Sequence, residues 1–489
     1  MGRFFAILHT LGFVMALFAS TMLFPLAASL LAADAALDAF VDGFLIALAA
    51  GLAMWLGTWR FRRELRPRDG FLLVSLVWVA LPALATVPLL IYFGRAGLPL
   101  SFTDAYFEAM SGLTTTGATV LSGLQDLPPS INIWRTTLIW VGGMGILVMA
   151  VAVLPLLGVG GHQVFRAETP GPMKDERLTP RIASTAKALY AIYFGMSIAC
   201  LLAYRAVGLS WYEAWAHMST TMGLGGFSTS DDGFIAFDSP AVEGVAIVFM
   251  LLAGINFATH FNALRQRSLG PYGRCPEAVP YLSVVLAGVL VISAYLYWQG
   301  VYASPLEALR YGAFNTVSVA TTTGYANTDY GQWPLFAPFL MLLLGMFATS
   351  AGSTGGGIKM IRAVILVKQV RQQMVAMLHP HAVTPVRIGA RSVAPSILVS
   401  VLIFLLVYLL LLGLLTALML LSGQEPLTGF SAVLATFTNI GPGLGAVGPA
   451  GNFGVLTDFQ TWICTFAMLI GRLELFTVLV LFTPGFWRK

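Results

Sequence analysis

The sequence predicts an all-α polytopic membrane protein, and three observations carry that prediction: composition, the placement of the basic residues, and a motif that occurs four times. Of 489 residues, 57% are hydrophobic and only 10% are charged, whereas soluble domains carry about 25% charged residues. These charges are too few to cover the two or three soluble domains that such a length would otherwise imply. Cys200, Cys275 and Cys464 lie too far apart in sequence to form a disulfide framework. The apolar runs are long and continuous rather than alternating, which favours helices over a barrel.

Ten runs satisfy the requirement of about 20 apolar residues for a helical span: 4–31, 41–59, 70–93, 133–158, 183–207, 241–262, 278–298, 334–367, 394–421 and 459–484. The first exceeds the apolar core of about 7–15 residues in a cleaved signal peptide, so it is expected to remain as a span. Cytoplasmic connections collect Lys and Arg. The N-terminus, the stretches 60–69, 160–187, 264–276 and 358–391, and the C-terminus hold 22 of the 27 basic residues. The opposite connections hold Arg95, Arg135, Arg205 and Arg310. Both termini are therefore expected to be cytoplasmic. The net charge of +5 reports topology and gives no reason to expect nucleic acid as a partner. The basic run at 60–69 is a positive-inside anchor, with anionic membrane lipid as the alternative use.

The third observation is a repeat. SFTDAYFEAMSGLTTTGATV (101–120), SWYEAWAHMSTTMGLGGFST (210–229), SPLEALRYGAFNTVSVATTTGYANTD (304–329) and EPLTGFSAVLATFTNIGPGLGAVG (425–448) each open on a polar or Pro-containing start, run about three helical turns and pass through Thr, Ser or Asn into Gly. With Gly117, Gly226, Gly324 and Gly441 taken as equivalent, the separations are 109, 98 and 117 residues. Thirteen residues before each lie Asp104, Glu213, Tyr311 and Thr428. The unit is span, short helix, Gly-bearing loop, span. The expected division is 1–66 for two helices outside the repeat, 67–165, 166–270 and 271–380 for the first three units, and 381–489 for the fourth. The short helices cannot cross a bilayer, and irregular backbone at membrane depth is tolerated only in protein or beside water. Four re-entrant helix-and-loop elements in a pseudo-fourfold, potassium-channel-like arrangement are the economical expectation.

Glycine lets backbone approach an ion closely, and successive carbonyls turned to one axis can replace the hydration shell of a monovalent cation. A helix C-terminus carries roughly half a negative charge and favours a cation there. The expected conducted species is therefore a cation. The candidate filter positions are Thr115, Thr116 and Gly117; Leu224, Gly225 and Gly226; Thr322, Thr323 and Gly324; and Asn439, Ile440 and Gly441. In the second loop Gly226 is preferred to Gly223 and Gly225, because it precedes Phe227 and keeps the 13-residue spacing.

The motifs TTTGAT, GLGGFST, TTTGYANTD, NIGPGLG and AGSTGGGIK and the tail GRLELFTVLVLFTPGFW resemble those of the Trk/Ktr/HKT superfamily of potassium transporters, specifically its bacterial TrkH type. The likeness covers nearly the whole chain, and the two extra N-terminal spans suit that branch. It implies one selectivity glycine per loop, with K+ ions held at the filter residues. Some members with Ser at the first filter position are sodium-permeable, so with Gly117 there the resemblance favours potassium. The resemblance also implies a homodimer of pores, a cytosolic TrkA-type nucleotide-binding partner and residence in the cell inner membrane. The 160–187 and 358–391 connections are candidate docking surfaces for that partner.

The run 334–367 is interrupted at 348–357 by Ala, Thr, Ser and four Gly. A phosphate-binding loop fails here by one residue, because Ile358 stands where the motif requires Lys, and no strand precedes it. Gly352, Ser353, Thr354, Gly355, Gly356, Gly357 and Lys359 are expected to form an intramembrane barrier below the filter, which the resemblance reads as a gate; a packing loop is the alternative. Arg472 lies inside an apolar run, where a charge at the helix centre costs at least about 2.5–3.5 kcal/mol. Glu474 is its nearest carboxylate, but residues two apart on a helix do not face each other. Arg472 is therefore expected to reach into the pore and bond carbonyls of the Gly-rich loop, with a structural ion pair as the alternative.

No connection is long enough for a nucleotide-hydrolysing domain, and no nucleophile or triad appears, so an enzyme is not expected. A membrane potential supplies about 2.3 kcal/mol per charge per 100 mV, enough for roughly 50-fold accumulation at 1.36 kcal/mol per decade. Gated, potential-driven or ion-coupled uptake is the expected activity. An alternating-access symporter would place half of the broken helices in the opposite orientation, which the four same-sided motifs do not do.

Overall fold

Within the described residues the apolar runs fold as helices, several of them bent or broken, and the short helices recur in the order the repeat implies. The computed structural model describes residues 2–63, 65–145, 182–382, 384–389, 391–473 and 475–488. Outside the repeat, α1 (Gly2–Ala19) continues through a 3-10 turn into α2 (Leu23–Ala32), and α3 (Leu37–Gly57) returns beside them. A Cβ on Gly12 would come within 2.9 Å of the Gly51 carbonyl. The two helices cross backbone to backbone, as small residues permit within a membrane.

Unit one comprises α4 (Pro67–Arg95), α5 (Phe102–Leu113) and α6 (Pro129–Met144). Unit two comprises α7 (Ile182–Ala206), α8 (Trp211–Gly223) and a bent pair, α9 (Pro240–Ala253) and α10 (Phe257–Gln266). Unit three comprises α11 (Ala278–Trp298), α12 (Pro305–Ala320), α13 (Phe336–Gly345) and, after an irregular loop, α14 (Met360–Leu378). A two-stranded antiparallel hairpin, Arg387–Ile388 with Arg391–Ser392, leads into unit four. That unit comprises α15 (Pro395–Leu421), α16 (Pro426–Phe437), α17 (Asp458–Arg472) and α18 (Leu475–Leu479).

Among the described residues, six helices are long and apolar enough to cross a membrane, or eight when each of two bent pairs is taken as one span. This is a multi-pass membrane protein. The expected spans 241–262 and 459–484 are not straight: their halves meet at 93° and 113°. The run 133–158 is described only as far as residue 145, and most of the expected docking stretch 160–187 lies outside the described residues.

Candidate functional site

The four short helices start alike. Ser101, Ser210 and Ser304 accept backbone N–H bonds from Asp104, Glu213 and Leu306, and Glu425 accepts from Leu427 and Thr428. These caps satisfy donors that a helix start leaves orphaned. The two N–H donors also hold the Glu425 carboxyl below its usual range. Asp104, Glu213 and Thr428 are each the third helical residue, whereas Tyr311 is the seventh, because α12 begins a turn earlier.

They also end alike. The N–H groups of Thr115, Leu224, Thr322 and Asn439 donate to the carbonyl three residues back, and those of Thr116, Gly225, Thr323 and Ile440 to the carbonyl five residues back. This pair of bonds is a Schellman motif, which normally places Gly or Asn in the left-handed position. Here φ is 55° at Thr115, 54° at Leu224, 62° at Thr322 and 56° at Asn439. Two residues later Gly117, Gly324 and Gly441 have φ of 78°, 86° and 103°; Gly226 does not share that sign.

The motif turns the following carbonyls away from the helix. Of the eight carbonyl oxygens at Thr115, Thr116, Leu224, Gly225, Thr322, Thr323, Asn439 and Ile440, that of Gly225 accepts from Phe227 N–H at 3.1 Å; among the described residues, no N–H or O–H donates to the other seven. All eight residues are buried, and buried carbonyls without a donor are costly.

The glycines bring the loops together. A Cβ on Gly117 would run into the backbone nitrogen of Gly226. One on Gly226 would lie 2.7 Å from the Gly324 carbonyl carbon, one on Gly324 would strike the Ile440 carbonyl oxygen, and one on Gly441 would lie 2.6 Å from the Thr116 oxygen. The contacts run from loop one to two, three, four and back to one. Asn439 Nδ2 closes the last step with a 2.9 Å bond to Thr116 Oγ1, and Tyr325 reaches across from loop three to donate to the His217 carbonyl at 3.2 Å. A cavity of about 380 Å³ opens above this ring, lined by Gly117, Gly226, Gly324 and Pro442.

Below the ring lies the Gly-rich stretch. Gly356 N–H donates to Thr322 Oγ1 at 2.8 Å, and the Thr354 hydroxyl donates to the Met222 carbonyl at 3.0 Å. Ser350 N–H donates to the Gly254 carbonyl and Phe257 N–H to the Gly352 carbonyl, both at 3.0 Å, so the loop is seated in the bend between α9 and α10. Lys359, at φ 78°, hydrogen-bonds the Gly355 carbonyl. Arg472 ends α17 and donates to the carbonyls of Thr354 (2.8 Å), Gly142 (2.7 Å) and Gly143 (3.1 Å). Glu474 lies outside the described residues. A cavity of about 140 Å³ touches Gly352, Ser353, Gly355, Gly356, Gly357, Lys359 and Arg472.

All the expected site residues thus fall in two adjoining groups, one from the four loops and one around residues 352–359 and Arg472. Three further groups escaped the sequence. Glu277 accepts N–H bonds from Ala351 (2.8 Å) and Ile361 (3.0 Å), clasping both roots of the Gly-rich loop. Glu108 and Arg135 form a buried ion pair at 2.7 Å. Tyr325 links two units. A carboxylate in the middle of a short helix, beyond its first turn, was the available signal for Glu108; Glu277 reads as an ordinary residue at a helix start. Three of the acidic residues near the second loop are engaged structurally. Asp231 caps the N–H groups of Gly123 and Leu124, and Asp238 and Glu243 bind Arg310.

Four short helices with matching ends, whose loops meet in a ring of buried carbonyls turned off those ends, define a class of integral membrane protein suited to passing cations. The chain belongs to the TrkH family of cation transport proteins, which it matches over residues 36–286 and 278–489. It is 44% identical to the Trk system potassium uptake protein TrkH of Halomonas elongata over 99% of both chains. It is 42% identical to the protein of that name in Escherichia coli K12 over the whole of both. Its structure is similar to the crystal structure of the potassium transporter TrkH from Vibrio parahaemolyticus, with TM-score 0.89 at 40% identity over 99% of this chain and 100% of that one.

Proposed function

We propose that the chain takes up potassium through a gated, selective pore whose filter is the ring of four loops. The observation that carries the reading is the set of seven buried carbonyls that have no donor among the described residues. A partly dehydrated K+ supplies what those oxygens lack, and they replace its hydration shell. The four short helices direct their negative ends at the same place. The 380 Å³ cavity is the outer vestibule, and the re-entrant loops lie on the non-cytoplasmic side.

The Gly-rich loop, held by Lys359 and Arg472, is the barrier beneath the filter. Membrane potential or a coupled ion gradient drives uptake. Both termini lie in the cytoplasm of a cell whose inner membrane holds the protein. A homodimer and a cytosolic TrkA-type nucleotide-binding subunit complete the system; the names of the relatives, each a component of a Trk system, support a partner. The test is flux into liposomes containing the purified chain, with K+ against Na+ under an imposed negative interior potential. Rapid K+ entry with little Na+ entry is expected; equal entry would overturn selectivity, and no electrogenic entry would overturn the pore.

A further inference from the structure

We propose that Glu108 and Arg135 are positioning residues that set ion selectivity from behind the first and second loops. The proposal rests on the pore reading above. Arg135 and Glu108 side chains are each 1% exposed, with Nε donating to Oε1 at 2.7 Å. The remaining donors of the guanidinium reach both loops: one goes to Thr119 Oγ1 at 3.1 Å and another to the Ser228 carbonyl at 3.3 Å. Asn132 Oδ1 takes a further bond at 3.0 Å. Phe227, next to Gly226, lies under the guanidinium at 4.3 Å. Glu108 in turn accepts from the Thr119 hydroxyl at 3.0 Å and from Val120 N–H at 3.1 Å.

Register gives these contacts their meaning. Thr119 and Ser228 each lie two residues after the filter glycine of their loop, so one side chain fixes equivalent points on adjacent loops. Glu108 lies nine residues before Gly117, and the residues equivalent by that count are His217, Asn315 and Ala432. His217 Nε2 pairs with Ser228 Oγ at 3.1 Å, and Asn315 donates to Asn327 at 2.6 Å. In unit four the neighbouring Ser431 bonds Leu444. Every unit therefore ties its short helix to its own loop, three with neutral groups. Only the first uses a carboxylate, and only there does a second charged residue carry the tie into the next loop. A planar fork with several fixed donors holds two backbones at a set separation in a way a flexible ammonium does not, and that separation governs the coordination that distinguishes K+ from Na+.

The test is the K+/Na+ flux ratio of Arg135→Lys, Glu108→Gln and Thr119→Val in proteoliposomes, normalised to monodisperse protein. Arg135→Lys keeps the charge and removes the fork; Thr119→Val removes one hydroxyl and leaves the ion pair, so it reports even where the charge variants fail to fold. The ratio is expected to fall by about threefold or more in Arg135→Lys, as contacting residues that share a network are energetically coupled, and in the same direction but less in Thr119→Val. Parent ratios in the variants that fold overturn the proposal, as does reduced thermal stability with an unchanged ratio. Gly117→Ser, measured alongside, separates the two readings. If it alters the ratio while the Arg135 and Thr119 variants do not, only the positioning role falls; if it too is silent, the filter assignment falls.

Discussion

A threonine or leucine in the left-handed region is strained, at roughly 1–2 kcal/mol per residue, yet Thr115, Leu224 and Thr322 all adopt it at the same place. Such strain persists where surrounding structure over-determines it and clusters at functional sites. At Gly117 the constraint is doubled, with positive φ and the Gly226 backbone where a Cβ would stand. Gly117→Ser should displace the second loop, put a hydroxyl beside the ion path and lower K+ over Na+ discrimination; relative fluxes equal to the parent's would remove Gly117 from the filter. Arg472→Ala should release the Thr354 carbonyl and raise K+ conduction per folded pore. Because Arg472 spans carbonyls from two separate segments, Arg472→Lys should behave more like the Ala variant than like the parent, a comparison that flux measurement settles. Both residues were legible in the sequence, one as a glycine in a repeat and the other as a charge in an apolar run. The left-handed residues were not, because Thr and Leu carry no signal of positive φ; only Asn439 is a residue type that favours it.

At the scale of elements, hydropathy showed where helices run and hid where they break. The bend at residues 254–256 interrupts a continuous apolar run, and its exposed backbone groups are satisfied by residues 350 and 352, more than ninety positions away. No local pattern encodes that pairing. The break at 346–359 was visible because glycine is costly in a helix interior. Its several anchors, among them the Glu277 carboxylate, make the loop a fitted element rather than a slack one. Removing several residues from 350–357 should raise basal K+ flux with little change in selectivity, since the filter backbone belongs to other loops. A deletion variant that folds and conducts no more than the parent would make the loop mere packing. Glu277→Ala should act in the same direction more weakly, by freeing both loop roots while leaving the chain length intact; the same flux assay reads it.

For the whole molecule, the asymmetry of basic residues was the most legible feature, because it is a property of composition along the chain and needs no contacts. The fourfold order was legible for the same reason: the glycine spacing survives even though α12 starts a turn early. What joins the units was not, since Tyr325, Arg135 and Asn439 act across 108, 93 and 323 positions respectively. Energetically, a conductive pore driven by potential alone should bring K+ to about 50-fold accumulation at 100 mV. Measuring the plateau of a tracer in vesicles clamped at several potentials checks this. A plateau well above that limit would require a second coupled ion.

The glycine ring closes on itself. Each loop leans on its successor, and the fourth leans on the first, so the cycle has neither a leading nor a trailing member although the polypeptide has both. Gly225 of the second loop also stands against the Thr115 carbonyl of the first, so damage at one corner is delivered to both of its neighbours. The outer helices can differ from unit to unit, but at this ring no glycine can take a larger side chain without displacing a neighbouring loop. The four glycines are in effect a single mechanical part, written in four places.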